Sequence, residues 1–106
     1  MIEADIYKAL GDPVRLEIIR RLANGSSNTI TELSKNLGVS RQGARKQLQV
    51  LVSANLVRLL PKGRETAVTL DTTKLKVAGL FIAKLEAQWD LRLHALKKLV
   101  QDDPTS

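Results

Sequence analysis

Apolar residues recur at helical spacing through most of this chain, and they switch to alternation once. Ile6, Ala9 and Leu10 mark a short helix over about 3–10. "GDP" at 11–13 breaks and restarts the chain, with Asp12 suited to cap and Pro13 to open the next helix. Val14, Leu16, Ile18, Ile19 and Leu22 carry that second helix over about 13–23, and "ANGSSN" at 23–28 ends it in turn residues. A third helix, about 30–36, turns Ile30, Leu33 and Leu37 inward; Thr29 with Glu32 has capping-box spacing, and Thr31 is the alternative cap. Gly38 ends it, Val39 plugs the corner and Ser40 caps a fourth helix over about 41–54. There Ala44, Leu48, Leu51 and Val52 share one quadrant.

From "ANL" at 54–56 the period changes to two. Val57 and Leu59 alternate on one arm of a predicted hairpin over about 57–70, and Val68 and Leu70 on the other. "PKGRE" joins the arms, with Gly63 free to take positive φ and Pro61 confined to a strand end or an edge. Asp71–Thr73 caps a last helix over about 73–100, whose apolar residues at 75, 78, 82, 85, 89, 93, 96 and 100 are spaced by threes and fours. The tail "QDDPTS" is polar. Five helices and one hairpin make a mainly α chain.

The 106 residues suit one domain with a core of its own, and 43% hydrophobic content is in the globular range. There is no cysteine, which excludes disulfides, thiolate metal sites and cysteine nucleophiles and fits a reducing, cytoplasmic setting. "MIEADIYKAL" has no apolar run, so no signal peptide is expected, and no stretch approaches a membrane span. The net charge is +6, and its location matters more than its size. Bases and acids balance over residues 1–40 and again over 65–106. Residues 41–64 hold six bases, Arg41, Arg45, Lys46, Arg58, Lys62 and Arg64, and no acid. A solvated face mixes signs, so a one-sign block in a folded segment points to a polyanion.

Two short helices joined by a glycine-containing turn, the second cationic and followed by a basic hairpin, form a helix-turn-helix with a wing. The major groove of B-DNA admits one helix; arginine fits guanine bidentately and glutamine fits adenine. Ser40, Arg41, Gln42, Gly43, Arg45, Lys46 and Gln49 are the candidates on the helix, and Lys62, Gly63 and Arg64 on the wing. Gly43 either admits close approach of DNA or is merely tolerated. The wing residues meet phosphate or the minor groove, unless they form an ordinary polar tip.

"KALGDPVRLEIIRRL", "ITELSKNLGVSRQGARKQLQVLVSANLV" and "KGRETAVTLD" together resemble the ArsR-type winged helix-turn-helix repressors, over about residues 3–72, and the last helix suits that family's terminal helix. The resemblance implies a homodimer built from the first and last helices, a recognition helix at 41–54 and a wing at 58–69. Ile6, Leu10, Ile82, Leu85, Trp89 and Leu93 are the candidate dimer contacts. Where the family commonly reads Ala-Val-Ser-Lys-His-Leu, this chain has Gly43-Ala44-Arg45-Lys46-Gln47-Leu48, so an operator sequence does not carry over.

Many members of that family sense metals through cysteines or His/Asp/Glu clusters. Here Glu32-Leu33-Ser34 offers no thiol. Glu86, Asp90 and the single histidine, His94, lie at i, i+4, i+8 on the last helix, where pairing with Arg or Lys is the commoner use, so no metal and no cofactor is expected. The resemblance is to the branch without metal ligands, with the inducer unknown. Trp89 and Phe81 could line a pocket at a dimer interface or simply fill it. An enzyme is disfavoured, because nothing organises a nucleophile or general base. The competing expectation is a winged helix that docks on another protein without sequence-specific DNA binding.

Overall fold

The computed structural model describes residues 1–25 and 29–101, so part of the "ANGSSN" turn and nearly all of the polar tail lie outside the described residues. The elements run α1 (Ile2–Leu10), α2 (Pro13–Ala23), α3 (Ile30–Leu33), α4 (Arg41–Ser53), β1 (Val57–Lys62), β2 (Glu65–Leu70) and α5 (Thr72–Gln101). This is the mainly α winged helix-turn-helix that the periodicity predicts.

The helix starts are local chemistry. Asp12 Oδ1 accepts from the Val14 and Arg15 amides at 2.8 and 3.2 Å, ahead of Pro13. Thr29, not Thr31, caps α3, its Oγ1 accepting from the Glu32 amide at 3.1 Å. Ser40 Oγ accepts from the Gly43 amide at 2.9 Å. Asp71 Oδ1 takes the Thr73 amide at 3.0 Å. At the end of α4, Asn55 adopts φ 61° while Leu56 N bonds Leu51 O and Asn55 N bonds Val52 O, a Schellman closure that drops Leu56 into the core beside Leu51.

The core lies where α1, α2, α4 and the hairpin converge. Ile6, Ile18, Leu51, Leu56, Val57 and Val68 are its fully buried large side chains. Tyr7 ties α1 to α5: its hydroxyl donates to Ala78 O at 2.8 Å, and its ring meets Phe81 at 6.3 Å between centroids. The two strands pair antiparallel from Val57 with Leu70 to Lys62 with Glu65. Gly63, at φ 63°, opens the two-residue turn, as a type II′ hairpin requires. Thr29 bridges Ala67 on the far side of β2, so β1 is an edge and Pro61, opposite Thr66, sits on it as expected.

Three expectations need correction. Helix α3 stops at Leu33 and not near 36, because Asn36 turns left-handed at φ 57° and the chain coils through Ser34–Asn36. Val39 does not plug the corner; it is 40% exposed beside the first turn of α4. Leu59 does not alternate inward either, since β1 leaves the core after Val57 and every later residue is exposed.

Helix α5 departs from compactness. Its thirty residues span about 45 Å at 1.5 Å per residue. Every residue from Ile82 to Gln101 is exposed. The radius of gyration is 20.1 Å, where a compact chain of this length would have roughly 13 Å. Ile82, Leu85, Trp89, Leu93, Leu96 and Val100 fall within about 80° of one another at 100° per residue. Their average step equals the helical repeat, so the stripe runs straight along the helix and does not wind as a heptad seam would.

Candidate nucleic-acid interface

Helix α4 divides as its sequence requires. Ala44, Leu48 and Leu51 are buried against the core, while Arg41, Gln42, Arg45, Lys46 and Gln49 are exposed on the other side. Ser40, also exposed, is committed through its hydroxyl to the cap. At Gly43 a Cβ would lie 3.2 Å from Ser40 Oγ, a tight approach that a shift of a few tenths of an ångström in the cap hydroxyl would relieve. At the hairpin tip Lys62, Gly63 and Arg64 are all exposed.

Two arginines that periodicity does not single out position this unit. Arg21, on α2, donates to the carbonyls of Leu33, Lys35 and Asn36, the last two at 2.6 and 3.1 Å. It thereby winds the turn between α3 and α4, which is why α3 ends early. Arg15 joins α1, α2 and α4: Nε donates to Ala9 O, Nη2 to Lys8 O at 3.2 Å and Nη1 to Gln47 Oε1 at 2.6 Å. Gln47 is therefore turned inward and half-buried, not toward a groove. The bonds of Arg21 to the α3–α4 turn and of Arg15 to Gln47 span 12 to 32 residues, so no local signal could have found them.

Charge pairing removes one member of the basic block. Arg58 Nη2 lies 2.8 Å from Asp71 Oδ2. The Asp71 carboxyl is held below its usual range, chiefly by the Thr73 amide and hydroxyl, with Arg58 adding to it. Arg41, Arg45, Lys46, Lys62 and Arg64 form no ion pair among the described residues. Five unpaired cations at this density attract a polyanion.

On α2, Glu17 holds Arg20 at 2.6 Å and Arg21 at 3.0 Å, and these two guanidiniums bring its carboxyl down to about 2. A depressed carboxylate stabilises the fold above its unfolded value of 4.5 and loses that contribution as pH falls toward about 2. Wild-type melting temperature is expected to fall more steeply across that window than that of Glu17→Gln. Parallel slopes would show that the pair contributes nothing, as many exposed pairs do.

Farther along α5, Glu86, Asp90 and His94 are exposed, and no three metal-binding side chains gather into a site among the described residues. Phe81 is half-buried against Tyr7 whereas Trp89 is 56% exposed, so the two line no common pocket within one protomer. Of the candidate dimer residues, Ile82, Leu85, Trp89 and Leu93 are exposed and Leu10 is half-buried. Ile6 is corrected: at 2% exposure it belongs to the protomer's own core.

The chain is 39% identical over 97 residues to the HTH-type transcriptional regulator Rv2034 of Mycobacterium tuberculosis, covering 92% of this chain and 87% of that one. An ArsR-like transcriptional regulator from Rhodococcus sp. RHA1 has the same fold with a TM-score of 0.76 and 31% identity, over 92% of each chain. This chain belongs to the ArsR family. Within this ArsR-family regulator, the Helix-turn-helix domain family matches residues 10–59, from the end of α1 into β1. The homodimeric winged helix-turn-helix DNA-binding domain Mb0332 of Mycobacterium bovis shares the fold at a TM-score of 0.58 and 22% identity, over 87% of this chain and 82% of that one. The ArsR-family assignment makes α3 and α4 the helix-turn-helix of a DNA-binding domain and the hairpin its wing.

Proposed function

We propose that the chain is a cytoplasmic, homodimeric repressor that reads an inverted repeat in double-stranded DNA. It is one domain over residues 1–106, in which α5 is the dimerisation helix, and it works by binding, not catalysis. The observation that carries this reading is the set of five unpaired cations on the free face of α4 and the wing tip. Ser40, Arg41, Gln42, Gly43, Arg45, Lys46 and Gln49 form the groove-facing set, and Lys62, Gly63 and Arg64 the wing set.

The dimer is supported by the apolar stripe of α5. Helices in proteins draw most of their stability from packing an amphipathic face, and here Ile82, Leu85, Trp89 and Leu93 are 45, 49, 56 and 41% exposed. A second copy related by a two-fold axis would cover the stripe, with Leu10 at its margin. It would also set two recognition helices about 34 Å apart, one per successive major-groove face. Cytoplasmic residence is supported by the absence of cysteine and of any helix, among the described residues, long and apolar enough to cross a membrane. Footprinting on the DNA upstream of the chain's own gene tests the reading: a protected inverted repeat is expected, and uniform protection at every sequence overturns it.

This repressor takes no metal. Zinc, cadmium and arsenite at low micromolar levels are expected to leave operator affinity unchanged. A chelator-reversible loss of binding that disappears in His94→Ala would contradict that.

A further inference from the structure

A groove of about 530 Å³ opens between α1, the C-terminal end of α4 and the start of α5, a volume ordinary for small-molecule sites. Ile6 and Ala9 form its buried floor, and Ile2 and Val50 form apolar walls that stand 52 and 39% exposed. Its charged lining is Lys8, Arg15 and Lys74 against Asp5, and none of the four forms an ion pair among the described residues.

Arg15 decides what the groove takes. Its guanidinium is half-buried, and its hydrogen bonds go to two backbone carbonyls and the Gln47 amide, all neutral. A partly desolvated charge without a counter-charge is costly. Three of its five N–H groups are engaged, which leaves donors for a carboxylate, the acceptor that fits them bidentately. We infer that this groove binds a small organic anion with an apolar body, and that occupancy lowers affinity for DNA.

The coupling rests on the DNA-binding reading of α4. Val50, Ser53 and Ala54 in the groove wall belong to that helix or follow it directly, and Arg15 grips it at Gln47. An anion held by the free N–H groups draws the guanidinium toward the groove and away from Gln47, which loosens the hold on α4. By reciprocity, bound DNA lowers anion affinity by the same factor.

The probe is hexanoate, with hexanamide and hexylamine as charge controls, titrated into the 15N-labelled full chain. Saturable shifts at the Ile2, Val50 and Asn55 amides are expected with hexanoate. Hexanamide should bind at least about tenfold more weakly, and so should hexanoate to Lys74→Glu. Arg15→Gln should also lose binding, but it removes bonds that join three helices, so Lys74→Glu is the deciding variant. Saturating hexanoate should weaken operator binding by about threefold or more, and by less in Lys74→Glu.

Equal binding of hexylamine, no saturable shift, or indifference to Lys74→Glu overturns the site. Concentration-dependent shifts at Ile2 and Val50 without any additive also overturn it, since a second copy would then fill the groove. Hexanoate binding with operator affinity unchanged or raised overturns the coupling. If hexanoate binds as described but no duplex does, the DNA-binding reading falls while the site stands.

Discussion

Arg45→Ala is expected to lose about 1–3 kcal/mol on the operator and to relax preference at one base pair per half-site. Lys62→Ala is expected to weaken specific and random duplex alike and to lower the log–log salt slope by about one unit. The two differ because of where the side chains stand. Arg45 projects from a helix whose opposite side is locked into the core by Ala44, Leu48 and Leu51, so its base of attachment is rigid. Lys62 lies at a hairpin tip whose neighbours are all exposed. Rigid placement suits discrimination among base edges, whereas a mobile cation suits phosphate, which carries no sequence information directly. Titrations of both variants against operator and scrambled duplex at several salt concentrations separate the roles. Equal loss on both duplexes for Arg45→Ala would make it a phosphate contact. No change for either variant would turn the basic face toward a protein partner instead.

Trp89→Ala should weaken the dimer by about 2–4 kcal/mol, as removal of a central aromatic anchor does. Operator affinity should fall with it, while affinity for an isolated half-site stays as it was. The same variant should lose far-UV helicity on dilution, because every described residue of α5 from Ile82 onward is exposed and its helix relies on packing that association would supply. Leu91, 72% exposed on the opposite side of the helix, is the control, and Leu91→Ala should leave association unchanged. A tight monomer at micromolar concentration that still binds the operator would contradict the arrangement.

Periodicity and capping residues foretold every element. Asp12, Thr29, Ser40 and Asp71 each act within three residues of their own position, which is why they are readable from the chain. The misreadings arose where a distant residue intervenes. Leu37 continues the helical spacing of Ile30 and Leu33, yet Arg21 takes the carbonyls of Leu33, Lys35 and Asn36 and the helix ends. Arg58 looked like part of the basic block until Asp71 came beside it. Ile6 and Leu10 share one face of α1, and that face is largely spent on the protomer core. The exposed cations of α4 and the wing were legible because a side chain without a partner needs no knowledge of the fold.

Pro61 has a consequence for behaviour in concentrated solution. A two-residue turn makes Lys62 and Glu65 a hydrogen-bonded pair, so Pro61 and Thr66 form the next, non-bonded pair, and the backbone of Pro61 faces outward along the free edge of β1. The donor that proline lacks is thus one that an incoming strand would need. Charges at Lys62 and Arg64 add repulsion between like edges. A strand adding along β1 would thus lose a hydrogen bond at Pro61 and meet like charge at the tip, which disfavours edge-to-edge stacking of the exposed wing.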